Sequence, residues 1–187
     1  MTKAGSLEKG MAILIKGQPF IVVEREFVKP GKGSAFVRAK LKNPNNGQVL
    51  RETMKTQDQV EDILVEDKDY QYLFADGENY HFMDLETYEQ FEVPISTFPE
   101  YQELMKEGET YTLIMWEDRP LDIKLPYKIV YTVTQAEEAV KGDTVTGATK
   151  TVEVETGLKV KVPIFIKEGE RILVNTETKE YVERVNQ

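Results

Sequence analysis

An all-β protein is what this sequence predicts, organised as three consecutive small barrels or sandwiches. Strand-like runs are short and numerous, and Gly, Pro, Asn or Asp interrupts them roughly every ten residues. Helical periodicity is scarce, with a single segment patterned and punctuated as a helix.

In the first module the pattern predicts strands near 11–16, 20–28, 35–42 and 49–56. The run from Pro19 to Val28 is β-branched and aromatic, and Ala35 to Leu41 alternates apolar with polar or small residues, as a half-buried strand does. Lys42-Asn43-Pro44-Asn45-Asn46-Gly47 separates the last two strands, and its Asn-Gly pair favours a reversal. A polar, acidic stretch from Gln57 to Asp69, relieved only by Ile63-Leu64-Val65, closes this module and sets its span at 1–64.

The second module, 65–128, has expected strands at Tyr70 to Ala75, Asn79 to Asp84, Glu89 to Val93 and Thr110 to Glu117, then one long strand over Leu121 to Val133. Asp76-Gly77 turns between the first two. The spacing predicts a helix over Pro99 to Lys106, with Pro at its start and Gly108 beyond its end. In the third module, 129–187, strands are expected at Ile129 to Thr134, Lys150 to Glu155, Leu158 to Val162, Arg171 to Asn175 and Tyr181 to Val185. Phe82 to Glu89 resembles Leu173 to Glu180, but the offset of 91 residues exceeds a module of about 60. The likeness therefore reads as shared hairpin chemistry rather than duplication.

Composition excludes several classes. The 187 residues are 40% hydrophobic, ordinary for a globular chain. Absence of cysteine removes disulfides and thiolate metal sites and suits a reducing cytoplasm. No run approaches the about 18 apolar residues of a membrane span, and Met1 to Ser6 lacks the apolar segment of a secretory signal. A cytoplasmic protein with no membrane partner is expected. The net charge of −9 is uneven: residues 1–64 carry 11 Lys and Arg against 7 Asp and Glu, whereas residues 65–187 carry 13 against 26. Phosphate contact is thereby confined to the first module, with Lys29, Lys32, Arg38, Lys40 and Lys42.

Catalytic groups do not converge. His81 is the only histidine, and its place between Tyr80 and Phe82 reads as a sheet-face or hydrogen-bonded role. Glu24/Glu26 and Glu153/Glu155 stand two apart, on one solvated strand face each. Asp76-Gly77-Glu78 is too short for a calcium loop, and the Gly142 to Gly147 loop is too poor in carboxylates. Without a nucleophile, a base and an orienting group, no enzyme is expected, nor any cofactor or metal.

One run remains: Lys29-Pro30-Gly31-Lys32-Gly33-Ser34, between two strands. Pro30 fixes its φ and lacks an N–H, while Gly31 and Gly33 can take positive φ, so the run presents a primary amine at a hairpin tip. Taken locally it is also what a solvated turn looks like. A phosphate-binding loop is excluded, because Glu26 stands where that motif needs its first glycine and a strand follows instead of a helix.

Extended to Phe27 through Arg38, this run closely resembles the lysine loop of bacterial translation elongation factor P. The stretch from Thr156 to Gly169 is similar to that family's carboxyl-terminal motif, and the resemblance spans the chain. One departure is that Lys150 is followed by Thr151 and Val152, where the family usually carries alanine two residues after the lysine. The resemblance implies a KOW or SH3-like barrel followed by two OB-fold barrels in an L-shaped, tRNA-like arrangement. It implies a monomeric, non-enzymatic factor that binds the 70S ribosome beside P-site peptidyl-tRNA and rescues slow peptide bonds, notably at consecutive prolines. Lys32 would reach the peptidyl-transferase centre, commonly after a modifying enzyme has extended its ε-amine, with Lys29, Pro30, Gly31, Gly33, Ser34 and Arg38 as loop and tRNA contacts. Gly142, Asp143 and Thr144 match an element near the E-site codon, and Tyr181 and Arg184 match positions that approach RNA.

The physics of such a role is orientation, since proline's ring constrains the chain and hinders its nitrogen. The alternative is a general single-stranded nucleic-acid-binding OB-fold protein, stacking bases on Tyr70, Tyr72, Tyr80 and Phe82, against which the acidity of the second and third modules weighs. The related hypusine-bearing factor shares a glycine-flanked lysine but normally ends after two modules. Lysine at position 32 excludes the arginine-glycosylating branch and leaves β-lysylation, another extension or no modification open.

Overall fold

The computed structural model describes residues 1–137 and 148–186. Six antiparallel strands form the first sheet: β1 (Thr2–Lys3), β2 (Ala12–Ile15), β3 (Gln18–Val28), β4 (Phe36–Lys42), β5 (Val49–Lys55) and β6 (Gln59–Asp62), in the order β1-β6-β2-β3-β4-β5. Alternation along β4 sends Val37, Ala39 and Leu41 inward and leaves Phe36, Arg38 and Lys40 on the other face. The inward set of Ala39 and Leu41 joins Ala4, Leu7, Ile13, Phe20, Val22 and Val60 in one core.

Phe20, Ile21 and Val22 on β3 are all buried, which alternation on a one-sided strand forbids. Both faces are covered here: Phe20 and Val22 enter the first core, while Ile21 and its partner Ala12 meet Leu121 from the second module. Ile63, Val65 and Trp116 pack around that contact. The polar stretch read as a boundary is therefore no free linker. It also contains β6, which pairs with both β1 and β2. Only Val60 of β6 is buried, so backbone pairing holds a strand that hydropathy does not mark.

The second sheet comprises β7 (Glu66–Ala75), β8 (Asn79–Asp84), β9 (Gln90–Pro94), β10 (Thr110–Trp116) and β11 (Arg119–Lys124), in the order β11-β10-β7-β8-β9. Its interior is aromatic: Tyr72 lies 5.6 Å from Phe82, 6.2 Å from Tyr80 and 6.4 Å from Tyr111 between ring centres. Tyr70, Tyr72, Tyr80 and Phe82 are at most 6% exposed. These four, the proposed base-stacking set of the alternative reading, are core residues closed to a nucleobase.

The third sheet holds β12 (Lys128–Ala136), β13 (Thr149–Val154), β14 (Lys159–Pro163), β15 (Arg171–Asn175) and β16 (Glu180–Val185), in the order β14-β13-β12-β15-β16. The long strand expected over 121–133 is broken, since Leu125-Pro126-Tyr127 separates β11 from β12 and Pro126 has no N–H for a ladder. The expected helix over 99–106 is instead a single 3₁₀ turn, Pro99–Tyr101, followed by turns. Eight residues are too few to sustain a helix unaided, and tertiary contacts claim this segment. The Tyr131 hydroxyl donates to the Leu104 carbonyl at 2.5 Å, and the Thr156 hydroxyl donates to the Glu103 carbonyl at 2.5 Å. Leu104 itself enters the core of Tyr131, Val133, Val152, Val154, Leu158, Val160, Val162, Ile166, Ile172 and Val174. Residues 100–109 accordingly group with 125–187, while residues 1–99 and 110–124 form the other compact unit.

One turn recurs in all three modules. Asn43, Asp84 and Asn175 each accept, through Oδ1, the N–H two residues on at 2.8, 2.8 and 2.9 Å. Their carbonyls accept the N–H four residues on, at 2.8, 2.9 and 2.7 Å. The last donor has positive φ every time: Gly47 at 73°, Tyr88 at 62° and Lys179 at 61°. Shared hairpin chemistry thus explains the sequence likeness. Glycine adopts that conformation freely, whereas tyrosine and lysine bear a cost of roughly 1–2 kcal/mol.

Candidate functional site

The loop at 29–35 owes its place to β3 and β4, whose pairing runs from Ile21 opposite Lys42 to Val28 opposite Phe36. The ladder ends there because Pro30 cannot donate. Lys32 is exposed, and residues 29–34 make no hydrogen bond or ion pair with the described residues. Gly33 adopts φ of 103°, while Gly31 keeps a negative or extended φ, so only one of the two glycines uses the positive φ open to both. A Cβ at either would meet nothing within 4 Å. Gly31→Ala is therefore expected to melt with wild type, within about 0.5 kcal/mol, whereas Gly33→Ala costs about 1 kcal/mol or more. Parallel thermal melts of the two variants check this.

Around the loop lie residues that sequence reasoning partly missed. Arg38 is exposed on β4 with its guanidinium 5.4 Å from the Phe36 ring centre. Phe27, two residues before Lys29, is 51% exposed. Below them, an open depression of about 450 Å³ lies over the outward face of β3, β4 and β5, where pairing sets Glu24, Lys40 and Arg51 side by side and Glu26, Arg38 and Thr53 next to them. Arg25 is tethered by a 2.9 Å bond to the Gly5 carbonyl, and Lys40 lies 3.7 Å from Glu24. The outward alternation at 38/40 and 24/26 marked part of this face. Arg51 carries no local signal and joins this face only through its pairing with Lys40.

Tyr181 is half-buried against the third core. Arg184 is exposed, 3.6 Å from Glu170 and 5.3 Å from the Phe165 ring centre. Both belong to the second compact unit and the lysine loop to the first. Gly142, Asp143 and Thr144 lie outside the described residues.

His81 takes the hydrogen-bonded sheet-face place expected of it. Its ring stacks on Phe74 at 4.3 Å, and Nε2 lies 2.8 Å from Asp76. The His81 hydrogen bond, then the Glu78 and Asn79 N–H groups, lower the Asp76 pKa from 3.8 to about 2. A folded-state value below the unfolded one stabilises above the unfolded pKa, and the gain disappears as pH falls through the folded one. The melting-temperature advantage of wild type over Asp76→Asn is expected to shrink between pH 4 and pH 2, read from melts across that range.

Three families of domain match consecutive stretches: the elongation factor P KOW-like domain over residues 3–60, its OB domain over 65–123 and its carboxyl-terminal domain over 129–184. Elongation factor P of Treponema denticola is 50% identical over 186 residues, covering 100% of both chains. The chain belongs to the elongation factor P family. Elongation factor P of Borrelia hermsii is 52% identical over 99% of this chain and 98% of its own. Among solved structures, translation initiation factor 5A from Methanococcus jannaschii is 28% identical over 66% of this chain and 92% of its own, with a TM-score of 0.48. The relatives bear the name of a translation factor, not of an enzyme. The fold is all-β with KOW-like and OB domains, and no helix among the described residues is long and apolar enough to cross a membrane.

Proposed function

We propose that this translation factor binds the 70S ribosome beside P-site peptidyl-tRNA and accelerates peptide-bond formation at consecutive prolines, with Lys32 as the group that reaches the reacting ends. The observation that carries this reading is the loop itself: an exposed amine, without a hydrogen bond or ion pair among the described residues and flanked by glycines with open space around them. Such a tip is free to be filled by a partner's surface. Lys29 and Arg38 supply charge to RNA phosphates, and Pro30, Gly31, Gly33 and Ser34 keep the backbone slim enough for close approach. Gly142, Asp143 and Thr144 are assigned to the E-site codon, and Tyr181 and Arg184 to RNA. The chemistry is positioning: a long cation along RNA phosphates and hydroxyls restrains the ester while a hindered proline nitrogen attacks, with no covalent step on the factor.

Two messages distinguish this reading, one encoding consecutive prolines and one without them, translated with purified ribosomes. Added factor is expected to accelerate only the first. Equal rates with and without factor on both messages overturn the reading. Peptide mass mapping of native protein would show any extension as a shift confined to Lys32 and identify a modifying enzyme's product.

A further inference from the structure

The central module spends conformational energy on one exposed side chain. Tyr88 closes the β8–β9 turn at φ 62° while its side chain is 71% exposed. The first module places Gly47 at the equivalent position, where no strain arises. The turn bond from the Tyr88 N–H to the Asp84 carbonyl holds that conformation without burying the ring, and the neighbouring Leu85 is 42% exposed as well. Lys179 takes the same φ at the equivalent turn of the third module, so it is the aromatic side chain offered to solvent beside an exposed leucine, not the strain, that marks this tip as a contact site.

Charge identifies the occupant. Residues 65–128 carry 5 Lys and Arg against 16 Asp and Glu, a net −11 that accounts for most of the chain's acidity. At the tip itself Glu86 and Glu89 are exposed, and Asp84 is engaged by Lys68 at 2.9 Å. RNA phosphates are repelled by such a surface, and a basic polypeptide is attracted. We propose that the 84–89 hairpin tip docks on a basic protein surface of the ribosome, with Tyr88 and Leu85 as the apolar anchor and Glu86 and Glu89 as its acidic rim. This rests on the ribosome-binding reading above.

The strain makes the test selective, because relieving it separates stability from binding. Tyr88→Gly is expected to melt about 2–4 °C higher than wild type, while the factor concentration giving half-maximal stimulation rises roughly tenfold. An unchanged half-maximal concentration overturns the docking role and leaves the ribosome-binding reading standing, whereas wild type failing to bind ribosomes removes both. Full-length protein carrying the photocrosslinker p-benzoylphenylalanine at position 88, irradiated on purified ribosomes, is expected to join a basic ribosomal protein identified by mass spectrometry. Crosslinking to ribosomal RNA, or to nothing, overturns the proposal.

Discussion

Lys32→Ala is expected to leave the protein folded and to remove most of its stimulation of proline–proline synthesis, by roughly tenfold or more, equivalent to about 1.4 kcal/mol of lost positioning. The fold should not notice. Lys32 is exposed, makes no hydrogen bond to the described residues and sits in a loop whose neighbours lend it no packing, so surface truncation stays within about 0.5 kcal/mol. Thermal melts and a reconstituted tripeptide assay separate the two quantities. Lys32→Arg is the informative companion, because it keeps the charge but replaces a compact ammonium with a planar fork. If the ε-amine serves as a modification site or must fit a narrow channel, arginine falls with alanine. If charge alone acts, arginine retains activity. Undiminished stimulation by Lys32→Ala sinks the proposed function itself.

Leu104→Ala is expected to be the most destabilising of the substitutions considered, at about 2–5 kcal/mol. Leu104 is 2% exposed and supplies a side chain to the third core from a segment that precedes β10 in the chain. Truncation removes that side chain from a cage of Val, Ile and Tyr that β-sheet pairing holds rigid, so the cavity cannot collapse. The loss falls on the unit of residues 100–109 and 125–187, whose melting should drop by about 10 °C or more. Amide exchange in β12 and β15 should accelerate first, while β4 and β8 remain protected. Leu104→Met, which conserves volume, is expected to recover most of the stability. A change below about 0.5 kcal/mol in Leu104→Ala would mean that the segment rests on the module without helping to hold it.

Strand positions were legible wherever one face of the sheet is wet, because alternation then prints burial directly into sequence, as along β4 and β8. Where burial is two-sided or nearly absent, the print fails. Phe20-Ile21-Val22 marked a strand but not that its two faces serve two modules, and β6 carries a single buried residue. Pro99 and Gly108 carried helix punctuation, yet the hydroxyl of Tyr131 and the core that Leu104 enters took that backbone first. Of the site, the loop at Lys32 was visible because glycine and proline act locally. The face that Arg51 shares with Arg38 and Lys40 was not, since three strands must pair before those side chains line one depression.

By itself, the sequence determined what depends on near neighbours: an all-β chain, its turns, an exposed lysine between glycines and the motifs that assign its family. Tertiary structure alone decided which aromatics are sealed in the central core, which glycine of the loop is conformationally required, that residues 100–109 complete the third core, and that Tyr88 is held in strain at an exposed tip. The physical reason is range. Backbone preferences act over a few residues, whereas burial, strain and electrostatic surroundings are fixed only when strands distant in the chain pack together.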